Sequence, residues 1–312
     1  MKRVYLITGA SGFVGSCLLR HLVENKEDVH IILRKEAQVW RIKDILKKTK
    51  VHCSDLTSFQ ELKKIFFKAK PTVIYHLAAY GAYPEQTDSD LAFKVNLSGT
   101  WNILKAASCI DYELLVNTGS SSEYGFKDKP MREDDCLEPT SYYAVSKSSA
   151  SLLCSYFARK EKKPVVTLRP FSVYGAYEQP SRFVPTLMRC LYFKKAMDLV
   201  NPDIARDYIY VDDMVSAYMN ISRLKLFPGE IFNIATGKQS SIKDIVEKAV
   251  KVTGKTTSFR WGKMPMRQWD TSCWVADISK AKKLLGFKPQ VSLEKGLSLT
   301  WEWFKRNHSI YK

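Results

Sequence analysis

Residues 4–15 read VYLITGASGFVG, and this stretch places a strand, a glycine turn and a helix in succession. Residues 4–7 form an apolar run of strand length, and apolar side chains recur at helical spacing over 14–25. A strand that ends in such a turn presents bare backbone amides, and the positive end of the next helix, to a diphosphate. The spacing is GxxGxxG rather than GxGxxG, so the prediction of a nucleotide site depends on the strand and helix around the turn.

Apolar segments of strand length alternate with helical patterns over the first half of the chain. The predicted strands lie at 4–7, 29–33, 73–77, 114–117 and 165–168, and the predicted helices at 14–25, 58–68, 88–109 and 142–160. This alternation predicts an α/β fold with a doubly wound parallel sheet of the Rossmann type, in which ligands bind beyond the carboxyl ends of the strands. The glycine turn, Ser120 and the SVYG segment each follow a strand, so we expect them to meet at that edge.

The composition is that of a globular protein. The 312 residues are 45% hydrophobic and 26% charged, which excludes disordered and fibrous classes. The sequence contains no recognisable signal peptide and no apolar run near the ~20 residues of a spanning helix, so a cytoplasmic protein is expected. The seven cysteines are scattered without a CxxC pair, which indicates reduced thiols rather than a disulfide framework or a metal site.

The chain is strongly basic. Its formal net charge is +17, from 49 Lys+Arg against 32 Asp+Glu. The basic residues are spread along the chain in pairs such as Lys47-Lys48 and Lys282-Lys283. This distribution favours a solvated lysine-rich surface over a site for nucleic acid or a membrane. A positive field also attracts anionic cofactors and substrates.

Residues 143–147 read YAVSK, and a spacing of four places Tyr143 and Lys147 on one face of a helix. A phenol titrates near ~10 in water, and a neighbouring cation lowers this pKa because it favours the phenolate. Such a pair also occurs by chance in many helices. Here it follows a nucleotide turn and a strand that ends near Thr118, which favours a tyrosine that exchanges protons near neutral pH.

The order of these motifs resembles that of the extended short-chain dehydrogenase/reductase family, whose members are NAD(P)-dependent epimerases, dehydratases and reductases of nucleotide sugars. The likeness covers essentially the whole chain. The segments that carry it are TGASGFVG (8–15), Asp55-Leu56, HLAA (76–79), VNLSGT (95–100), SSSEYG (120–125), YAVSK (143–147), RPFSVYG (169–175), RDYIYVDD (206–213), Arg267 and LGFKP (285–289).

The resemblance implies a role for three catalytic residues. The tyrosine of the family moves the proton of a sugar hydroxyl or carbonyl while the nicotinamide takes or gives a hydride at the same carbon. Carried onto this chain, Tyr143 is the acid/base, Lys147 tunes it and holds the nicotinamide ribose, and Ser120 hydrogen-bonds the reacting oxygen. The cofactor contacts implied in the same way are Gly9, Ser11, Gly12, Phe13, Val14, Gly15, Arg34, Lys35, Asp55, Leu56, Leu77, Ala78, Ala79, Asn96, Thr118, Tyr143, Lys147 and Pro170.

The resemblance also implies contacts with a nucleotide-sugar substrate. The residues concerned are Tyr80, Tyr83, Ser121, Ser122, Ser172, Arg206 and Arg267. In the family the two arginines hold the nucleotide diphosphate, to which guanidinium is suited by its bidentate geometry. Many relatives have asparagine in place of Ser172. The loop HLAAYGAY (76–83) is similar to that of bacterial CDP-abequose and CDP-paratose synthases, which reduce a CDP-linked 4-keto-6-deoxyhexose.

The residues that follow Ser120 bear on the reaction. Family members that remove water from the sugar need a further carboxylate, usually at the two positions held here by Ser121 and Ser122. Glu123 lies one place too late, and alternation along a strand-like segment points it to the other side. Dehydration is therefore disfavoured, which leaves reduction at C4 or epimerisation.

The end of the second predicted strand bears on the cofactor. It reads IILRK, with Arg34 and Lys35 where NAD-dependent members have an aspartate for the ribose. Arginine suits a ribose phosphate, although two basic residues after a strand are also an ordinary solvent-facing pattern. We therefore favour NADP(H) over NAD, and expect NADPH-dependent reduction at C4 of a nucleotide-linked 4-keto-6-deoxy sugar, in surface-polysaccharide biosynthesis. The alternative is an NAD-dependent nucleotide-sugar 4-epimerase.

The resemblance implies a chain in two parts. The expected divisions are 1–176 for the NADP-binding Rossmann domain, with segments at about 205–236 returning to it, and 177–204 and 237–312 for a smaller mixed α/β substrate lobe. A homodimer is also expected. Relatives commonly pack two helices of each subunit, which are 88–109 and 142–160 in this chain, into a four-helix interface.

Overall fold

The computed structural model describes residues 2–83, 85–265 and 270–311. Its strands are β1 (Val4–Thr8), β2 (Asp28–Leu33), β3 (Lys50–Cys53), β4 (Val73–His76), β5 (Leu114–Thr118), β6 (Val165–Pro170), β7 (Ser172–Tyr174), β8 (Met197–Asp198), β9 (Ala205–Tyr210), β10 (Ile231–Ile234), β11 (Gln239–Ser241) and β12 (Phe259–Arg260). Its α-helices are α1 (Phe13–Glu24), α2 (Phe59–Ala69), α3 (Ser89–Phe93), α4 (Gly99–Ala107), α5 (Tyr142–Glu161), α6 (Phe183–Phe193), α7 (Val211–Met219), α8 (Ile221–Leu224), α9 (Ile242–Thr253) and α10 (Leu293–Asn307).

Seven of these strands form one parallel sheet in the order β10-β6-β5-β4-β1-β2-β3. Alternate side chains of β1 face opposite layers. Tyr5 and Ile7 pack with α1 and α7 on one face, and Leu6 packs with α2, α4 and α5 on the other. The predicted doubly wound parallel sheet of the Rossmann type is therefore confirmed.

The sequence pattern did not indicate β3. Three of its four residues are exposed, because it is the edge strand of the sheet and pairs only with β2. A strand with no buried face lacks the apolar run that marks the other strands. The edge strand β3 is therefore additional to the five strands that the apolar runs in the first half of the chain predict.

The helix predicted at 88–109 is not one regular α-helix. A single π-helical turn, Lys94–Ser98, separates α3 from α4. Such turns are rare and often occur at functional sites, because the extra residue re-aims the side chains around it. Asn96 lies in this turn and is completely buried.

A smaller part of the structure is built from segments of the chain that follow β6. It holds a three-stranded sheet, β11-β9-β7, and a two-stranded sheet, β12-β8, which pack with α6, α9 and α10. We expected segments within 205–236 to return to the main sheet, and β10 does so by pairing with β6. However, β9 pairs with β7 and β11 instead. β7 begins just after β6 ends, lies outside the main sheet, and is the strand with which β9 pairs in parallel. The predicted domain boundaries themselves stay a prediction.

Of the helices in the described ranges, none combines the length and the apolar character needed to cross a membrane.

A buried ion pair fixes the segment that follows β5. The Glu123 carboxylate accepts hydrogen bonds from Arg169 Nε at 2.8 Å, from the Ser120 amide at 2.7 Å and from Ser151 Oγ at 2.9 Å. The carboxylate of Glu123 and the guanidinium of Arg169 are both almost fully buried. These contacts tie the segment after β5 to β6 and to α5.

We predict that Glu123→Gln lowers the free energy of unfolding by about 3 to 5 kcal/mol, because it leaves the buried Arg169 charge without its counterion. The matched control is Glu302→Gln, which breaks the exposed pair between Lys305 and Glu302 and is expected to cost at most about 1 kcal/mol. Urea denaturation of both variants measures the difference. Similar small losses in the two variants would show that the buried pair does not hold this segment.

Candidate active site

The glycine turn has no room for side chains. Gly9 has φ of +74°, and a Cβ there would lie 2.5 Å from the amide nitrogen of Ala78. A Cβ on Gly15 would lie 2.2 Å from the carbonyl oxygen of Gly9. The Gly12 amide donates to the Gly9 carbonyl at 3.0 Å, and this close turn leads directly into α1.

The first turn of α1 is suited to an anion. Its N-cap is Gly12, so no side chain caps the helix, and no acidic residue lies in that turn. Ser11 lies in the glycine turn, and Phe13 and Val14 open the helix. Uncapped amides at a helix N-terminus bind phosphate. The residues present therefore fit the diphosphate of a dinucleotide, as the sequence predicts.

The other residues predicted to hold the cofactor lie along the carboxyl edge of the sheet. Leu77, Ala78 and Ala79 follow β4, Asp55 and Leu56 follow β3, and Thr118 and Pro170 end β5 and β6. Arg34 and Lys35 are exposed and come directly after β2. Asp55 accepts hydrogen bonds from Thr57 rather than lying free. The structure thus brings this predicted set to one edge.

Asn96 acts on the loop that follows β4. Its amide nitrogen donates to the Tyr80 carbonyl at 2.8 Å and to Ser146 Oγ at 2.9 Å, and its Oδ1 accepts from the Tyr80 amide at 2.8 Å. These bonds fix the backbone at Tyr80 against α5. The geometry gives Asn96 a positioning role, whereas the sequence resemblance implied contact with the cofactor.

Ser120, Tyr143 and Lys147 converge at this edge. Ser120 caps a 3₁₀ turn, Ser121–Tyr124, and its side chain acts on the Tyr143 phenol, whose pKa it lowers against the effect of burial. Lys147, one helical turn beyond Tyr143 on α5, donates from Nζ to the Thr118 carbonyl. The three residues expected to be catalytic are therefore held together by β5 and α5.

The electrostatics of Tyr143 differ from the sequence prediction. Burial raises the pKa of the Tyr143 phenol, and the Ser120 hydrogen bond and the Arg182 charge oppose that rise. The expected lowering by Lys147 is not the main influence, because the ammonium is directed to Thr118 and its own pKa is lowered by burial. Burial disfavours the charged form of each group, which is the phenolate of Tyr143 and the ammonium of Lys147.

The segment after Ser120 is a 3₁₀ turn, and the strand-like alternation assumed for it is wrong. Glu123 still does not face Ser121 and Ser122, because the turn directs its carboxylate into the interior, where it accepts a hydrogen bond from Arg169. Ser122 Oγ accepts from Ser120 Oγ at 3.1 Å, and Ser121 Oγ accepts from the indole nitrogen of Trp274 at 3.2 Å. The two positions where relatives carry a catalytic acid hold only hydroxyls.

The predicted substrate residues surround the same edge. The loop with Tyr80 and Tyr83 packs against Tyr143, since a Cβ on Gly81 would lie 3.2 Å from Tyr143 Cβ. Ser172 opens β7. Arg206 lies on β9 and donates to the carbonyls of Ala205 at 2.7 Å and Thr271 at 3.2 Å. Arg267 falls outside the described residues.

Three further residues belong to this region and were missed. Trp274 contacts Ser121 and lies under the guanidinium of Arg206, 5.2 Å from its ring centroid. Arg182 precedes α6 and lies 4.0 Å from the carboxylate of Glu178, which is itself buried. The sequence offers no signal for them, because each reaches the site through tertiary packing rather than through a motif.

Comparison with known proteins agrees with the fold and the motifs. Residues 6–300 match the model of the GDP-mannose 4,6 dehydratase family. The chain is 31% identical over 323 residues to a UDP-glucuronate 4-epimerase of Thermodesulfobacterium geofontis. The matched region covers 99% of this chain and 98% of that protein.

Two solved structures are similar over nearly their whole length. The UDP-glucose 4-epimerase of Thermotoga maritima, solved with UDP-glucose, has a TM-score of 0.88 at 25% identity and covers 97% of this chain and 99% of its own. The UDP-glucuronic acid 4-epimerase of Bacillus cereus, solved with UDP-glucuronic acid and NAD, has a TM-score of 0.86 at 28% identity. The match covers 98% of this chain and 99% of that one.

The chain belongs to the GDP-mannose 4,6 dehydratase family. It is an enzyme of the extended short-chain dehydrogenase/reductase class that acts on nucleotide sugars, which confirms the resemblance found in the sequence. Similar structures hold NAD, and NADP is not specifically supported by them.

Proposed function

We propose that the protein is an NAD-dependent nucleotide-sugar 4-epimerase. The observation that carries the proposal is the group Ser120, Tyr143 and Lys147 next to two serines in place of the acid that dehydration needs. The relatives described above, a UDP-glucuronate 4-epimerase and a UDP-glucose 4-epimerase among them, support it. This proposal gives the epimerase alternative precedence over the reductase that the sequence favoured.

The residues of this chain supply the proton chemistry. Tyr143 takes the proton of the C4 hydroxyl as the carbon is oxidised and returns it when the hydrogen comes back to the opposite face. Ser120, whose side chain also lowers the pKa of Tyr143, holds the C4 oxygen. The bound dinucleotide supplies a hydride acceptor and donor. Lys147, fixed by its hydrogen bond to the Thr118 carbonyl, would hold the nicotinamide ribose.

Burial explains how Tyr143 would be used. Its raised pKa keeps the phenol protonated in the resting protein, so ionisation requires a nearby cation. Arg182 supplies such a charge, since it lowers the pKa of Tyr143, and a bound dinucleotide with an oxidised nicotinamide would add a further positive charge. Positioned acid/base catalysis of this type contributes about 10² to 10⁴ in rate.

A second candidate is the NADPH-dependent 4-keto reductase, and one observation favours it. Arg34 and Lys35 are exposed at the end of β2, where a ribose phosphate would lie. A charge-assisted hydrogen bond of this type contributes about 1.5 to 3 kcal/mol. The same residues are compatible with NAD, since an exposed side chain can turn to solvent.

We predict that Tyr143→Phe lowers turnover by about 10² to 10⁴ while dinucleotide affinity stays close to that of the wild type, because only the proton-transferring oxygen is lost. The matched control is Tyr142→Phe, which changes the same atom on the exposed neighbouring residue. Turnover by chromatography of the sugar epimers and affinity by calorimetry check both. More than a tenth of wild-type activity in Tyr143→Phe would overturn the assignment.

The epimerase is expected to purify with tightly bound dinucleotide and to convert its substrate without added reductant. Extraction of the purified protein, followed by chromatography of the released nucleotide, identifies NAD or NADP. A protein that is empty when purified and consumes one NADPH for each product is instead the reductase.

A substitution at Arg34 gives a second way to distinguish the NAD-dependent epimerase from the NADPH-dependent reductase. If NADP is the cofactor, Arg34→Asp weakens NADP binding about tenfold to hundredfold and changes NAD binding little. Lys47→Asp is the control, since it reverses an exposed charge far along the chain from the β2 end. An unchanged ratio of the two dissociation constants in Arg34→Asp removes the main support for the reductase.

We also propose a homodimer formed through α4 and α5, as the sequence resemblance implies. Four large apolar side chains on these helices are exposed: Trp101 at 42%, Tyr142 at 68%, Leu152 at 57% and Tyr156 at 57%. Leu152→Glu is expected to convert the dimer to a monomer in sedimentation velocity, because it buries a charge in the interface. Leu226→Glu, at an equally exposed leucine outside α4 and α5, should leave the dimer intact. A monomeric wild type would refute this assembly.

A further inference from the structure

We propose that Arg41 supplies a buried positive charge that neutralises the diphosphate of the dinucleotide at the glycine turn. Arg41 lies in the segment between β2 and β3, and it belongs to none of the motifs that indicated cofactor contacts. The inference concerns the dinucleotide alone. It therefore goes beyond the proposed function and holds for an epimerase and for a reductase.

The guanidinium of Arg41 is buried among uncharged groups. The residue is 5% exposed, and its Cζ lies 4.1 Å from the centroid of the Trp40 ring. Its Nε donates to the Tyr177 carbonyl at 2.7 Å, and its Nη2 donates to Gln179 Oε1 at 2.8 Å. Arginine stays protonated in proteins, and a buried charge is costly unless an opposite charge compensates it.

No acid of the described residues forms an ion pair with Arg41. Asp44, in the same segment, pairs with Arg20, and Glu178 lies 4.0 Å from Arg182 Nε. Burial raises the pKa of Glu178 to about 8, so this carboxyl is mostly neutral at pH 7. Burial also lowers the pKa of Arg41, because it disfavours the charged form. The protein thus holds this charge without a counterion of its own, and a bound anion would compensate it.

Arg41 contacts the glycine turn directly. Its Nη1 donates to the Ser11 carbonyl at 3.4 Å, and Ser11 precedes Gly12, the N-cap of α1. The uncapped amides of Phe13 and Val14 follow. Because successive Cα atoms are ~3.8 Å apart, an anion on these amides would lie within about 10 Å of the guanidinium. At that distance inside a protein, two opposite charges still change an affinity roughly tenfold.

The expected role of Arg41 differs from that of Arg34. Arg34 is exposed at the end of β2, where it would contact the ribose phosphate that NADP alone carries. Arg41 is buried and contacts the turn that fits the diphosphate. NAD and NADP both contain the diphosphate. The charge of Arg41 should therefore contribute equally to the binding of the two dinucleotides.

A purely structural role for Arg41 predicts a different result. Its hydrogen bonds also tie the glycine turn to Tyr177 and Gln179, which follow β7. Such a role depends on the planar, forked guanidinium and not on the charge. Arg41→Gln keeps an N–H donor and removes the charge, whereas Arg41→Lys keeps the charge and removes the fork. The two variants therefore separate the two roles.

The test measures dissociation constants of labelled NAD and NADP by equilibrium dialysis of the intact protein. Dialysis continues until any dinucleotide that was purified with the protein has exchanged. Arg41→Gln is expected to weaken both dinucleotides by the same factor, about tenfold or more, and Arg41→Lys by less than about threefold. The control is Lys43→Gln, at an exposed cation of the same segment, which should change neither constant more than about twofold.

Three outcomes would overturn the inference. Equal losses in Arg41→Gln and Arg41→Lys would mean that Arg41 only ties segments together. A loss limited to NADP would mean a contact with the ribose phosphate, and unchanged affinities would mean no role. If circular dichroism shows that Arg41→Gln is unfolded, Arg41→Lys decides, because near-wild-type affinity supports the inference and a tenfold loss overturns it. Sugar conversion is not measured, so failure of the proposed epimerase activity leaves this result intact.

Discussion

Two backbone segments approach so closely at the glycine turn that neither Gly9 nor Gly15 can carry a side chain. A Cβ on Gly15 would lie 2.2 Å from the Gly9 carbonyl, and a Cβ on Gly9 would lie 2.5 Å from the Ala78 amide. This contact sets how α1 leaves β1 and how close the end of β4 comes to it. That approach places the uncapped amides of α1 next to the loop that carries Tyr80, and this loop in turn packs against Tyr143 of α5.

The catalytic group is arranged in a buried environment that opposes charge. Burial raises the pKa of Tyr143, which disfavours its phenolate. Burial also lowers the pKa of Lys147, which disfavours its ammonium form. The Ser120 side chain and the charge of Arg182 act in the opposite sense and lower the pKa of Tyr143. A site of this kind holds the proton on the phenol until substrate and dinucleotide bring further charge, which suits reversible proton exchange.

Features that depend on local sequence were predicted, and those that depend on tertiary packing were not. The apolar runs of β1, β4 and β5, and the helical spacing of α1 and α5, come from side-chain periodicity and led to the parallel sheet. The edge strand β3 was missed because it has no buried face. The π-helical turn at Asn96 has no periodic signature, and it appeared as part of one long helix.

The candidate site divides in the same way. Tyr143 and Lys147 were found because one helix turn brings them together, but the pKa prediction for Tyr143 was wrong because burial cannot be obtained from spacing. Trp274 and Arg182 reach the site from distant segments and carry no motif. The preference for the reductase rested mainly on Arg34 and Lys35, with a likeness of the HLAAYGAY loop to CDP-sugar reductases beside it, and a pair of exposed side chains does not decide the reaction.

The most direct measurement follows the hydrogen on C4. UDP-glucose and UDP-glucuronic acid deuterated at C4 are incubated with the purified protein, and the epimers are analysed by mass spectrometry and NMR. A 4-epimerase removes this hydrogen and returns it to the same carbon, so we expect an epimer that keeps its deuterium, with no reductant consumed. Loss of the deuterium from C4, or product formation only with added NADPH, would contradict the proposed epimerase.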